Sequence, residues 1–235
     1  MGKASPVVCF GDSLTFGTVG YSYIKFCKTK RKMINKGING DTTTCMYQRL
    51  KKYIKNPRHC NTGTYIIAIG TNDLLLPYLE AVSLLWKIQM SPRVMMKKCI
   101  QDAEAFAHMY EQCINLILAN KKQVVLVGLP YLELKGFSNH DMMERNAIIE
   151  QLAQKYQAPF VSVTDLQQYV CTQNTSFYSW KYKNLRRVLD AIVMLLLPFT
   201  KDIYSNIRNL KWTVDGVHFN STIAETLGSA ISQYL

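Results

Sequence analysis

VVCFGDSLTFG, residues 7 to 17, joins an apolar run to a polar loop close to the start of the chain. A buried strand that ends at a glycine-bracketed serine either turns into a phosphate-binding loop or presents a nucleophile. A phosphate-binding loop would need Gly-x-x-x-x-Gly-Lys-Ser/Thr or Gly-x-Gly-x-x-Gly, and neither pattern follows this strand. The stretch therefore favours a nucleophile at Ser13.

Apolar, β-branched runs recur along the chain with helical stretches between them. They occupy residues 7–10, 64–70, 123–128 and 159–163, with a weaker run at 33–35. This alternation is typical of parallel strands that are covered on both faces by helices. We therefore predict an α/β fold, a three-layer α/β/α sandwich with about five parallel strands in a flavodoxin-like order.

Helix starts between these strands can be assigned from residues that accept hydrogen bonds from the first free N–H groups of a helix. The predicted starts are Asp41, Ser91-Pro92, Ser138 or Asn139, and a capping box of Thr222 with Glu225. In parallel sheets, ligands bind beyond the carboxyl ends of the strands. The loops GDSLTFG, GINGD and GTND, which follow the first three strands, are therefore expected to form the site.

Length and composition indicate a single domain over residues 1–235, because 48% hydrophobic content suffices for one sizeable core and no Pro/Gly/Ser-rich linker interrupts the chain. No signal-peptide-like segment or spanning apolar run occurs, so a cytoplasmic location is predicted. Seven scattered cysteines are typical of reduced thiols and lack metal-ligand spacing. Neither a metal nor an organic cofactor is predicted.

The charge balance favours an anionic partner, since 28 Lys and Arg outnumber 16 Asp and Glu. The cations concentrate in residues 28–32, 49–58 and 181–187. Solvated helix faces account for most such runs. No nucleic-acid-binding signature accompanies them, so no nucleic acid is predicted, whereas transient contact with an anionic membrane surface stays open.

A nucleophilic serine needs a base to take its proton and a further group to orient that base. His218 lies just before the last predicted helix and three residues after Asp215. That spacing across a glycine turn lets the carboxylate accept a hydrogen bond from one ring nitrogen while the other nitrogen faces Ser13. The other histidines lie in turn-like or mid-helix positions, where a structural or solvated imidazole is expected: His59, His108 and His140.

Four segments together resemble the four sequence blocks of the SGNH/GDSL hydrolase family, in the family's order. They are GDSL (11–14), GINGDTT (37–43), GTND (70–73) and DGVH (215–218). A lone GDSL would be weak, but four blocks at strand ends in a fitting α/β pattern are strong. The resemblance implies a flavodoxin-like SGNH fold and a serine ester hydrolase that acts through an acyl-enzyme without a cofactor.

The resemblance also implies a role for individual residues. Ser13 would be the nucleophile, His218 the general base and then acid, and Asp215 the orienting carboxylate. The oxyanion hole would consist of the Ser13 and Gly40 N–H groups and the Asn72 side-chain amide, which is the kind of fixed donor set that a tetrahedral intermediate requires.

Simpler structural roles compete with chemistry at several of these positions. Asp12 is expected to brace its loop, Asp41 to cap a helix and Asp73 to serve as a cap or turn residue. Ser13 as a mere helix cap is the main rival to the nucleophile, but it leaves the Asp215 and His218 loop unexplained.

Two apolar insertions, about residues 74–90 and 177–199, leave the active-site edge of the predicted sheet. Either they are amphipathic helices that pack on the core, or they wall an acyl groove or touch a membrane. The groove is slightly favoured, with Trp180, Leu195 and Leu196 expected to line it.

The predicted substrate is therefore a lipophilic carboxylic ester, of the lipase, lysophospholipase or thioesterase kind. Deacetylation of a carbohydrate or small ester, a non-catalytic lipid- or membrane-binding module, and acyl transfer to an alcohol other than water are the alternatives.

Overall fold

The computed structural model describes residues 4–171 and 176–235 and contains a five-stranded parallel sheet. The strands are β1 Val7–Gly11, β2 Met33–Gly37, β3 Thr64–Ala68, β4 Gln123–Val127 and β5 Phe160–Val161. Their order in the sheet is β2-β1-β3-β4-β5. The predicted α/β sandwich with a flavodoxin-like strand order is confirmed, and each strand lies in or beside its predicted apolar run.

Helices cover both faces of this sheet. They are α1 Ser13–Phe16, α2 Thr43–Lys55, α3 Thr71–Val82, α4 Leu84–Lys97, α5 Ala103–Ala119, α6 Asn139–Lys155, α7 Val163–Val170, α8 Asn184–Leu196, α9 Thr200–Ile207 and α10 Ser221–Ser232. Successive strand residues point to opposite faces. Val7 and Cys9 accordingly pack with α10, whereas Val8 and Phe10 pack in the larger core that contains α2, α5 and α6 residues.

The register of the central strands sets the place of the site. Gly11, the last residue of β1, pairs with Gly37 of β2 on one side and with Ala68 of β3 on the other. β2 lies on one side of β1, and β3 lies on the other, so the direction in which strands are added reverses at β1. Ligands bind at such a switch point in parallel sheets. The loops after Gly11, Gly37 and Ala68 therefore meet.

Two of the predicted caps are wrong by one or two residues. Thr42, not Asp41, caps α2, and its hydroxyl accepts a hydrogen bond from the Cys45 N–H at 3.4 Å. Asp41 is buried and instead pairs with Arg49, because a buried carboxylate is stabilised more by a cation than by one amide. Asn220 caps α10, so Thr222 lies inside the first turn and the capping box with Glu225 does not form.

The predicted helix start at Ser91-Pro92 is also wrong, since both residues lie inside α4. This helix begins after Ser83, and the following helix begins after Asp102, whose carboxylate accepts a hydrogen bond from the Ala105 N–H at 2.7 Å. By contrast, α6 begins at Asn139 directly after Ser138, as predicted.

The two apolar insertions pack against each other. Residues 74–90 belong to α3 and α4, and residues 177–199 include α8. The Trp86 indole N–H donates to the Trp180 carbonyl at 2.8 Å, and the two indole rings stack with centroids 5.7 Å apart. No helix within residues 4–171 and 176–235 is long and apolar enough to cross a membrane.

Candidate active site

Ser13 is the first residue of α1, immediately beyond the end of β1. Asp12 caps this helix, and its carboxylate accepts a hydrogen bond from the Leu14 N–H at 2.9 Å. The predicted loop-bracing role of Asp12 therefore agrees with its contact, whereas the rival role of Ser13 as the cap does not. A Cβ at Gly11 would lie 2.1 Å from Thr15 Oγ1, so only glycine permits this tight strand-to-helix turn.

His218 lies between Ser13 and Asp215, although Ser13 is about two hundred residues away in sequence. Its Nε2 is 3.0 Å from Ser13 Oγ, and its Nδ1 is 2.8 Å from Asp215 Oδ2. The second carboxylate oxygen of Asp215 accepts the Val217 and His218 N–H groups at 2.9 and 2.8 Å. One glycine-containing turn thus fixes both the carboxylate and the ring that it orients.

Arg187 of α8 adds a second cation to this carboxylate. Its Nη1 lies 2.6 Å from Asp215 Oδ2, and the Arg187 side chain is only 9% exposed. The N–H bonds of Nη1 are not aligned with the Asp215 oxygen, so the contact is not a hydrogen bond. It is chiefly an attraction between opposite charges. Burial by itself would raise the pKa of Asp215, but Arg187 and then His218 hold that pKa well below its ordinary value.

Trp180 contacts the backbone of Asp215 and the guanidinium of Arg187. Its indole N–H donates to the Asp215 backbone carbonyl at 2.7 Å, and the Arg187 guanidinium lies 3.8 Å above its ring centroid. A guanidinium over an indole face is an attractive cation–π arrangement. Trp180 lines the groove, as the sequence predicts, and the same side chain also positions Asp215.

Glu133 holds the segment that leads to Asp215. Its carboxylate accepts the backbone N–H groups of Lys211, Trp212 and Thr213, as well as the Thr213 hydroxyl at 2.6 Å. Burial raises the pKa of Glu133, although these hydrogen bonds oppose the shift. Four donors on one buried carboxylate make this loop rigid, which favours a fixed position for Asp215.

Gly40 and Asn72 lie in the same cavity as Ser13 and His218. Gly40 has φ +68°, and within the described residues its N–H donates to no other protein group. The Asn72 side-chain amide donates to the Asp41 carbonyl at 2.9 Å, which fixes its orientation. The side-chain nitrogen of Asn72 carries two hydrogens, so one of them remains free to donate to a ligand.

Asp73, next to Asn72, does not act as the cap or turn residue that the sequence suggested. Its carboxylate accepts the Thr43 N–H at 2.9 Å, the Thr43 hydroxyl at 2.8 Å and the Ile100 N–H at 2.9 Å. It therefore joins the starts of α2 and α3 to the segment before α5. Burial raises the pKa of Asp73 to about 6 and that of Asp12 to about 7.

A cavity of about 420 Å³ extends from Ser13 and His218 between the two insertions. Its walls are mostly apolar, with polar groups at Asn39, Gln89, Arg93 and Asn184. The apolar part comprises Val19, Leu75, Leu76, Leu79, Trp86, Met90, Trp180, Val188, Ala191, Ile192 and Leu195. Leu195 was expected to line the groove and does so, whereas Leu196, also expected there, lies outside the cavity and is 71% exposed.

The other three histidines do not line this cavity. His59 stacks on Tyr53, His108 contacts Gln112, and His140 is exposed. Within the described residues, no group of three or more His, Cys, Asp or Glu side chains is arranged to hold a metal ion.

Sequence reasoning missed Arg187, Trp180 and Glu133 as supports of Asp215. Arg187 was read as part of the basic run 181–187, which is usually solvated. One signal was available, since Arg187 and Asp190 lie three residues apart on a helix whose other residues are largely apolar. Such a spacing puts both charges on one face of a helix.

The sequence comparison identifies the family to which this arrangement belongs. Residues 9–222 match the GDSL-like lipase/acylhydrolase family. The chain belongs to that family. Comparison with curated proteins finds no match.

Solved GDSL-like and related esterases share the fold over nearly the whole chain. A lipase/acylhydrolase from Enterococcus faecalis matches with TM-score 0.62 and 18% identity, over 98% of this chain and 94% of its own. An acetyl xylan esterase matches with TM-score 0.58 and 18% identity, over 98% and 99%. A carbohydrate acetylesterase from Sinorhizobium meliloti matches with TM-score 0.58 and 16% identity, over 98% and 97%.

This GDSL-like acylhydrolase is accordingly an ester hydrolase. The neighbours include both a lipase and carbohydrate acetylesterases, so their shared fold leaves the substrate class open.

Proposed function

We propose that this GDSL-like acylhydrolase hydrolyses carboxylic esters with lipophilic acyl chains through a covalent acyl-enzyme on Ser13. The observation that carries the proposal is the apolar cavity of about 420 Å³ that opens directly from Ser13 and His218. An acyl chain in this cavity would lie against leucine, tryptophan and methionine side chains, and each buried methylene contributes about 0.8 kcal/mol.

The proposed chemistry follows from the contacts around Ser13. His218 Nε2, 3.0 Å from Ser13 Oγ, takes the hydroxyl proton as the oxygen attacks the ester carbonyl carbon. The resulting oxyanion accepts hydrogen bonds from the Ser13 and Gly40 N–H groups and from Asn72. Asp215 stabilises the imidazolium through Nδ1 and keeps the ring in the required tautomer.

Collapse of the tetrahedral intermediate breaks the bond to the alcohol. His218 gives its proton to the departing alkoxide, and Ser13 is left esterified by the acyl group. Water then attacks the same carbonyl carbon while His218 takes one proton from it, and a second collapse releases the carboxylic acid and restores the Ser13 hydroxyl. An alcohol in place of this water would give acyl transfer by the same steps.

Deacetylation of a carbohydrate is the second candidate. It is supported by the polar side chains at the cavity, especially Asn39, Gln89 and Asn184, which could hydrogen-bond sugar hydroxyls. The lipophilic ester is favoured because most of the cavity lining is apolar, which gives a bound sugar few partners for its hydroxyl groups.

The test combines labelling with a series of p-nitrophenyl esters from acetyl to dodecanoyl. A fluorophosphonate probe should label the wild type and should not label Ser13→Ala, and the variant should lose turnover. Labelling that persists in Ser13→Ala would contradict the nucleophile. In the wild type, kcat/KM should rise by about fourfold for each methylene that enters the cavity, the equivalent of 0.8 kcal/mol.

Leu195 and Leu196 form a matched pair for the substrate question. Both are exposed leucines of α8, but only Leu195 lines the cavity. Leu195→Asn should flatten the chain-length dependence while acetyl ester hydrolysis is retained, and Leu196→Asn should leave the profile unchanged. A wild-type preference for acetyl esters, with equal profiles in both variants, would favour the deacetylase instead.

A further inference from the structure

Helix α8 buries two charged residues and leaves most of its leucines exposed. Its buried positions are Arg187, Asp190 and Met194, whereas Leu185 and Leu196 are 73% and 71% exposed. A helix on the surface of a globular protein normally has the opposite arrangement, with its apolar stripe toward the core. The outer face of α8 therefore has no role in burying apolar surface within this chain.

Two buried ion pairs on the inner face, beside the buried Met194, join α8 to the rest of the chain. Arg187 contacts Asp215, and Asp190 pairs with Arg208, which in turn donates to the Val214 carbonyl at 2.8 Å. All of these groups are buried or nearly so. Ion pairs with Asp215 and Arg208 thus help to hold α8, and its exposed leucines are left free for contact outside the chain.

Helix α4 extends this apolar surface on the other side of the cavity. The Asn184 side chain at the start of α8 donates to Gln89 of α4 at 3.2 Å, and residues of both helices line the same cavity. We call the exposed apolar residues that flank the cavity without lining it the mouth face. Its members are Leu84, Leu85 and Ile88 of α4, and Leu185, Leu189 and Leu196 of α8.

The exposed charged residues of α4 and of residues 177–199 are all cations, although Glu80 of α3 accepts a hydrogen bond from Ser91 of α4. Lys87 and Arg93 of α4, and Lys181 and Arg186 beside or within α8, are all exposed. The only acid in α4 or in residues 177–199 is Asp190, which is buried and already paired with Arg208. An apolar surface whose own segments expose cations is complementary to an anionic lipid surface, where each cation contributes about 1 kcal/mol.

We infer that the mouth face docks this protein onto an anionic lipid surface. Its leucines lie among the acyl chains, and the neighbouring cations of α4 and α8 lie at the headgroups. The inference rests on the proposed function in one respect, since a lipophilic ester in such a surface would enter a cavity whose opening lies within the docked face. Docking of this kind removes from water a cluster of leucines that the fold itself leaves exposed.

The experiment measures vesicle binding separately from ester hydrolysis. Ser13→Ala protein is sedimented with sucrose-loaded vesicles of phosphatidylcholine alone, or of phosphatidylcholine with about one-third phosphatidylglycerol, at low and at high salt. Binding by this variant does not depend on turnover. Hydrolysis of water-soluble p-nitrophenyl butyrate by enzyme with an intact Ser13 reports on the proposed function alone.

Two sets of substitutions identify the surface. The triple variant Leu185→Ser/Leu189→Ser/Leu196→Ser removes apolar residues from the mouth face, and Lys181→Gln/Arg186→Gln removes two of its cations. Tyr169→Ser is the matched control, because Tyr169 is 85% exposed on α7, a helix that packs in the core on the opposite face of the sheet. None of these six residues lines the cavity.

The expected result is strong binding to the anionic vesicles, weak binding to the neutral ones and release at high salt. The leucine variant should lose at least about tenfold in vesicle affinity, the equivalent of 1.4 kcal/mol, and keep its butyrate kcat/KM within about twofold. The cation variant should lose affinity for anionic vesicles only, and Tyr169→Ser should bind like its parent.

Equal binding by the leucine variant and its parent would overturn the inference while leaving the hydrolase intact. A wild type that ignores vesicles but forms a dimer, which the leucine variant dissociates, would also overturn it and would assign the mouth face to a second copy of the chain. Conversely, vesicle binding without butyrate hydrolysis would uphold the docking surface and contradict the proposed function.

Discussion

The ion pair between Arg187 and Asp215 allows a quantitative prediction about stability and catalysis. Arg187→Gln removes the cation that lies 2.6 Å from the carboxylate, and both side chains are more than nine-tenths buried. Removal of one partner of a buried pair typically costs 3–5 kcal/mol, because the other charge is left uncompensated. Asp215 retains His218 and two backbone N–H donors, so we expect about 3 kcal/mol in the free energy of unfolding.

A double-mutant cycle separates this pair from other losses at the same positions. The cycle compares urea unfolding of the wild type, Arg187→Gln, Asp215→Asn and the double variant. The stacking of Arg187 on Trp180 is lost in both arms that change Arg187, so it cancels. The coupling free energy should be about 2 kcal/mol or more, whereas an exposed pair would give at most about 1 kcal/mol.

The catalytic effect of the same substitution has a distinctive form. Arg187 acts through Asp215, so Arg187→Gln should lower kcat by the same factor for acetyl and for long-chain esters, and Arg187→Lys should recover part of the loss. A coupling free energy below about 0.5 kcal/mol would refute the electrostatic reasoning. A kcat loss confined to long-chain esters would show that Arg187 acts on the acyl chain instead.

Three further substitutions test other parts of the site. Asn72→Ala should lower kcat by about a hundredfold or more with a smaller change in KM, because an oxyanion donor acts mainly in the transition state; a change in KM alone would make Asn72 a binding residue. Trp180→Phe keeps an aromatic ring but loses the N–H donor to the Asp215 carbonyl, so kcat should fall for all chain lengths together, as steady-state kinetics on acetyl and octanoyl esters would reveal. Asp12→Asn should flatten the pH dependence of thermal stability. Burial raises the pKa of Asp12 from 3.8 to about 7, so the native state holds a proton that the unfolded chain has lost, and stability falls as pH rises through that window; an unchanged slope of Tm between these pH values would contradict the assignment.

The sequence by itself determined the strands and the local geometry around Ser13, the proposed nucleophile, and His218, its proposed base. Four strands are short, largely apolar runs, β2 is a weaker and less buried one, and all five lie in or beside their predicted positions. The cap of α1 by Asp12 and the contact between Asp215 and His218 each join residues within three positions of one another. Such features can be predicted because local sequence contains all the groups that interact.

Tertiary structure alone decided which distant groups support the site and which face of α8 is outside. Arg187 and Asp215 are 2.6 Å apart only because α8 packs against the segment that contains Asp215. A guanidinium that belongs to a basic run in the sequence is thereby buried. Asp41 could equally cap α2 or pair with Arg49, and the burial of its carboxylate selected the ion pair. The amphipathic pattern of α8 predicts a helix but not the side that faces the core, since the ion pairs with Asp215 and with Arg208 turn its leucines toward solvent.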